Sequence, residues 1–344
     1  MNLLDFDTAV TQSDAISNGK RHLLLGNGFS RAWRDSLFSY DSIFDATSWT
    51  EAQNGLRASF DSLGTRDFEK VMEVLEDAYR IATGYGIPEN IRDIIKSDSS
   101  ILKDLLTDTL SKHHPENPEE VKDSEYQKCG QFLGNFERIY TVNYDLLLYW
   151  TLMKGRRKHD DGFRDPFEGE PEDYVEEDFV EWKYSDKQTV YYLHGALHLQ
   201  LSGPSLKKFC WSRTGVKLKD QILESLNKRS YPLIVAAGTS DEKLSRIQRS
   251  NYLGHAYRSI GKIGGSLFVF GHSFGDKDSH IFDQVKKNKS LKAMCVGIFG
   301  DTNSAGNKHI IERARSISSF RKIKNPRDSF EVSFFDAKSA NVWR

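Results

Sequence analysis

Six short apolar runs punctuate the chain, and each ends at a cluster of Gly, Asn, Ser or Asp: HLLLGNGFS (22–30), RIYTVNYD (138–145), VYYLHG (190–195), PLIVAAGTS (232–240), LFVFGHSFGD (267–276) and AMCVGIFGD (293–301). The runs are continuous rather than alternating, as in strands buried on both faces. Their β-branched and aromatic content favours strands over buried turns of helix. Stretches of helical period lie between several of them, at 67–82, 221–229 and 243–260. Strands alternating with helices predict a mostly parallel, doubly wound, Rossmann-like α/β sheet. Residues 1–30 and 131–344 are the expected core. Residues 31–130, mostly helical by pattern, are the expected insertion or lid after the first strand. In such sheets a ligand binds beyond the carboxyl ends of the strands, where the strand order reverses.

The 344 residues carry 48 Lys+Arg against 49 Asp+Glu, a net charge of −1. That excludes a uniformly basic nucleic-acid binder and a long acidic solvating chain. Charge is instead segregated, with twelve acids against two bases in the insertion 160–186 and eleven bases against two acids in 286–327. Opposite segments of this kind predict a homo-oligomer held head to tail, its association weakening as salt rises. Three cysteines, at 129, 210 and 295, form no Cys-x-x-Cys pair, which argues against a disulfide framework and a Cys-rich zinc site. The amino terminus has no basic segment leading into an apolar one, and no apolar stretch approaches the roughly 18 residues of a membrane span. A soluble, cytoplasmic protein without a membrane partner is expected.

The strand ends carry the candidate chemistry. Gly26-Asn27-Gly28-Phe29-Ser30 follows the first run directly, and glycines at 26 and 28 allow a tight turn and close approach of backbone to a phosphate or ribose. A side chain at Gly28 would intrude on that space. The third Gly of the dehydrogenase fingerprint is missing, because position 31 is Arg, which argues against a hydride-transfer site. Asn143 and Asp145 alternate onto one side of an extended segment, where they can hold an amide and a sugar hydroxyl; Asp145 equally suits the N-cap of the following helix. His194 ends an apolar run before Gly195, which puts a neutral imidazole at the mouth of the sheet as a candidate base near pH 7. His198 would make a metal pair with it only on a helix, and no carboxylate or Cys completes a ligand set nearby, so no metal is expected.

Together GNGFS, TVNYD, LHG, GTS and FVFGHSFGDKDSHI stand in the order and approximate spacing of the bacterial sirtuin-like (Sir2-like) proteins, a resemblance covering roughly 22–30 and 138–281. The resemblance implies that Gly26, Asn27, Gly28, Phe29 and Ser30 form the loop on the NAD phosphates. It implies further that Asn143 and Asp145 hold the nicotinamide ribose and carboxamide, and that His194 is the base. Gly238, Thr239 and Ser240 resemble the turn on the adenosine side, and Gly271, Ser273 and Asp276 the late segment of the bacterial branch. The four-Cys zinc module of the protein deacylases has no counterpart, and RAWRDSLFSYDSIF replaces their lid sequence. The resemblance therefore implies NAD as substrate and a NAD glycohydrolase, an activity found among effectors of bacterial anti-phage defence. The alternatives are a sensor that binds NAD or an ADP-ribose derivative without turnover, and a NAD-dependent deacylase or ADP-ribosyltransferase. A NADase needs a restraint, for which oligomerisation, a regulatory partner protein, a ligand or the insertion 31–130 is expected.

Overall fold

The computed structural model describes residues 2–158, 167–168, 179–185, 187–202, 205–209, 217–228, 230–236 and 238–344. Most of the acidic segment 160–186, and Cys210, lie outside the described residues. Five of the six apolar runs form strands of one sheet: β1 (Arg21–Leu25), β2 (Arg138–Thr141), β3 (Val190–Tyr192), β4 (Gly265–Phe270) and β5 (Leu291–Ile298), joined by β6 (Glu331–Asp336). Every pairing among them is parallel, and the order across the sheet is β3-β2-β1-β4-β5-β6. This is the doubly wound α/β arrangement, whose strand order reverses between β1 and β4.

Alternation along β1 divides its leucines between two cores. Leu23 and Leu25 pack with Phe60, Phe68 and Trp150 on one face, while Leu24 packs with Ala256, Ile281 and Ile317 on the other. Leu23 lies between Ile139 of β2 and Phe268 of β4, so the central strand has an apolar neighbour on each side.

Between β1 and β2 the chain is helical, including Tyr40–Ala46, Asn54–Ser62, Phe68–Gly84, Glu89–His113 and Asp123–Leu133. Asp67 starts the third of these by accepting from the backbone N–H groups of Glu69 and Lys70. The insertion shares the larger core: Phe44, Phe60, Phe68 and Leu106 belong to the same cluster as Leu23.

Three features depart from the pattern. The run at 232–236 yields Pro232–Ile234, which pairs antiparallel with Gly195–Ser202 in a second sheet instead of joining the parallel one. The helix expected over 243–260 is two helices, Ser240–Arg249 and Asn251–Ile260, because Ser250 turns out of helical geometry and caps the second through the Leu253 amide. Strand β6 escapes the apolar-run criterion since it is an edge strand with exposed and half-buried positions. Among the described residues no helix is long and apolar enough to cross a membrane.

Candidate active site

The turns after β1 and β4 meet where the strand order reverses. The Gly26 amide donates to the Phe270 carbonyl (2.9 Å) and the Gly28 amide to the Gly271 carbonyl (2.8 Å). A Cβ on Gly28 would lie 2.5 Å from Gly271 Cα, and one on Gly26 would lie 2.6 Å from His272 Cα. Gly271 itself has φ +69°, a conformation glycine tolerates best. The glycines thus let two backbone turns touch. A side chain at 28 meets protein before it meets any ligand, which changes the consequence expected from the sequence. Gly28→Val is expected to destabilise the protein with no ligand present, lowering its thermal midpoint; an unchanged midpoint with normal folding would contradict this packing.

In front of these turns lies a cavity of about 350 Å³, lined by Gly26, Asn27, Gly28, Asn143, Asp145, His194, Gly271 and Ser273 on the sheet side. The insertion supplies the facing wall through Tyr40, Asp67, Glu69, Leu106 and Leu110. Asn27 ties the two sides together, its side-chain amide donating to the Phe38 carbonyl (2.9 Å).

Asn143 and Asp145 are joined by a residue of the first turn. Ser30, fully buried, donates its hydroxyl to Asp145 and accepts from the Asn143 amide (3.1 Å). Asp145 also accepts from the backbone N–H of Leu147 at the start of helix Leu147–Lys158 (2.9 Å), so both its oxygens are engaged. Burial raises its carboxyl above the usual range, and the hydrogen bonds from Ser30 and Leu147 work against that rise. Asp145 therefore fixes Ser30, and through it Asn143. The Asn143 Oδ1 is buried with no hydrogen-bond partner among the described residues. A buried, unsatisfied amide oxygen on a cavity wall is a place for a ligand or a bound water.

His194 stands in the turn between β3 and Gly195–Ser202, 1% exposed. Its Nε2 is 3.2 Å from His280 Nε2 and 3.9 Å from Asp278 Oδ1. Burial, and after it Lys243, push the ring down to about 3. Residues 195–202 form a strand, so His194 and His198 do not share a helical turn; His198 packs between the rings of Tyr149 and Tyr192.

Beside His194 runs a charged seam between core and insertion. Lys243, 0% exposed, bridges Glu69 Oε2 (2.8 Å) and Asp278 Oδ1 (3.1 Å). Lys277 bridges Asp67 Oδ2 (2.8 Å) and Glu69 Oε2 (3.2 Å), and the Tyr144 hydroxyl donates to Glu69 Oε1 (2.9 Å). Burial would raise both acids. Lys243 and Lys277 instead pull Glu69 to about 2, while Lys243 above all holds Asp278 well below the usual range. Three carboxylates against two ammonium groups leave the seam at 2 − 3 = −1.

The remaining sequence candidates lie elsewhere. Phe29 is buried behind the turn against Trp343. Gly238 and Thr239 start helix Ser240–Arg249, with Thr239 in a capping box with Glu242, and Ser240 contacts His280; none of the three lines the cavity. Asp276 is exposed and pairs with Arg313 (2.6 Å), whereas Asp278, two residues on, lines the cavity. Sequence reasoning missed Asp278, Lys277, Glu69, Asp67, Lys243 and His280. The signals were the density of His, Lys and Asp in GHSFGDKDSHI, and a lysine on the buried face of an amphipathic helix beside Ile247.

Fold and site together define a doubly wound α/β protein with a ligand-sized cavity at its strand-order reversal, walled on its facing side by a helical insertion. The chain is matched over residues 23–343 by the family described as Domain of unknown function (DUF4917), and it belongs to that family. The match runs from β1 to Trp343, so core and insertion are both parts of the family's domain. No curated protein matches the chain.

Proposed function

We propose that the chain is a NAD glycohydrolase that releases nicotinamide and ADP-ribose from NAD held in this cavity, as its resemblance to sirtuin-like proteins implies. The observation that carries the reading is the meeting of Asn143, Asp145 and His194 with two glycine turns in one cavity. An amide and a carboxylate from one strand end and an imidazole from another come together there, beside the two glycine turns. Cleavage of the nicotinamide–ribose bond develops oxocarbenium character. The net negative seam of Asp67, Glu69 and Asp278 with their two lysines suits that positive charge. Asn143 orients the attacking water or the ribose hydroxyls, Asp145 fixes Ser30 and Asn143, and His194 takes the proton of the water. Nicotinamide departs as a neutral molecule, so its release needs no acid.

One observation favours a second reading, a sensor that holds NAD or an ADP-ribose derivative without turnover: His194 at about 3 is a weak base on its own. Incubating the purified protein with NAD and measuring free nicotinamide separates the two. Release with no added acceptor is expected, and binding without release would overturn the hydrolase in favour of the sensor.

A further inference from the structure

A ring that holds a proton only near pH 3 is a poor base unless the proton does not stay on it. The surroundings of His194 supply a way onward. Its Nε2 is 3.2 Å from His280 Nε2; His280 Nδ1 is 3.0 Å from Ser240 Oγ; and Ser240, half-buried at the start of helix Ser240–Arg249, also accepts from the His280 backbone amide (2.7 Å). We propose that His194, His280 and Ser240 form a proton relay leading out of the cavity, with His280 and Ser240 as positioning residues that let a neutral His194 act as a base. The use of the relay rests on the hydrolase reading above, but its existence does not.

The distances allow either direction along the chain, and the charge beside His194 selects one. Asp278, held ionised by Lys243, lies 3.9 Å from His194 Nε2 and favours a proton on that nitrogen. His194 then donates from Nε2 to His280 Nε2, and His280 donates from Nδ1 to Ser240. A serine oxygen has two lone pairs, so Ser240 accepts both His280 donors and keeps its own hydroxyl proton to give away. In this arrangement His194 Nδ1 is an acceptor and the ring nitrogen left for the cavity. When it takes a proton from water there, its Nε2 proton passes to His280 Nε2, the His280 Nδ1 proton passes to Ser240, and the serine proton passes to solvent. Four protons each move one place, and neither ring becomes an imidazolium. That suits the setting, since burial depresses His280 as well, to about 4, and Lys243 opposes positive charge on both rings. The other groups around the pair are Glu69 beside His194, Asp283 beside His280, His272, which neighbours Asp278 at 3.3 Å, and Tyr257, whose hydroxyl donates to the His280 carbonyl.

The test needs no turnover. In the full-length protein with 15N-labelled histidine, long-range proton–nitrogen spectra at pH 7 are expected to show His194 as the Nε2–H tautomer and His280 as the Nδ1–H tautomer. His280→Phe and the milder Ser240→Ala should each shift the His194 nitrogen resonances. His194 resting as the Nδ1–H tautomer, or unmoved in both variants, would overturn the relay whether or not the protein hydrolyses NAD. If NAD is hydrolysed, Ser240→Ala should lower kcat about 10-fold, part of the roughly 10²–10⁴-fold a general base supplies, with KM unchanged. The rate in mixtures of light and heavy water should then change from a bowed to a linear dependence on deuterium content. An unaltered kcat with a bowed dependence retained in Ser240→Ala would equally sink the proposal.

Discussion

Asn143→Ala, and separately His194→Ala, should each lower nicotinamide release by about 10²–10⁴-fold, the range that a positioned proton acceptor or orienting group commonly supplies. Both side chains line the cavity, and neither is part of the apolar core. Truncating Asn143 removes the donor to Ser30, but Ser30 keeps its bond to Asp145, so the structural cost is about 1 kcal/mol. Truncating His194 leaves His280 Nε2 without its partner, at about 1–3 kcal/mol. Both fall below the about 5–15 kcal/mol typical of a folded domain. Urea unfolding should therefore show folded variants beside the lost activity. Full activity in either variant would remove that residue from the mechanism.

Acidification should destabilise the protein before Glu69 and Asp278 titrate. Four buried imidazoles are held far below the ordinary value of about 6.5: His114 and His194 at about 3, His22 and His280 at about 4, in each case chiefly by burial. His114 shows how such a ring is used, since its Nε2 accepts from the Leu146 amide (3.1 Å) and its Nδ1 is 3.1 Å from the Pro115 carbonyl. Each ring is less basic folded than unfolded, so the unfolded chain binds more protons and stability falls as the pH drops through 6.5 towards 4. At pH 5 the loss is about 2 kcal/mol for each ring that stays neutral. Glu69, at about 2, and Asp278, well below its usual range, add nothing in this window, because their stabilisation is lost only below the ordinary carboxylate range of about 4. The urea midpoint should thus fall steeply between pH 7 and pH 5. A midpoint constant over that interval would mean that these rings are solvated.

The sheet was legible because strands buried on both faces must be apolar throughout, as HLLL before Gly26 is. Pro232–Ile234 has the same local character, and only its partner, an antiparallel strand starting at Gly195, decides its sheet. At the site, residues ending parallel strands could be found from the chain alone: Gly26, Asn143, His194 and Gly271 all line the cavity. The residues contributed by the insertion could not. Glu69 reads as an ordinary acid in an amphipathic helix, and its contact with Lys243, 174 positions away, depends on how that helix docks. Asp276 and Asp278 differ in the sequence by two places, yet one faces Arg313 at the surface and the other Lys243 in the interior.

The placement of β1 also bears on how the protein is made. This strand is the middle of the sheet, but its partners arrive late: β2 begins 138 − 25 = 113 residues after β1 ends, and β4 begins 265 − 25 = 240 residues after. At about 5–20 residues per second, a ribosome produces the first partner roughly 6–20 s later and the second roughly 10–50 s later. Until β2 emerges His22-Leu23-Leu24-Leu25 is a nascent strand with two open edges, and until β4 emerges one of them stays open. The helices that follow it are the next apolar surface to emerge, and Phe60 and Phe68 belong to the core that Leu23 and Leu25 join. The insertion that walls the cavity in the finished protein therefore also shelters the central strand during synthesis. A chain cut short before β4 would leave that strand as an edge on which copies of the protein aggregate.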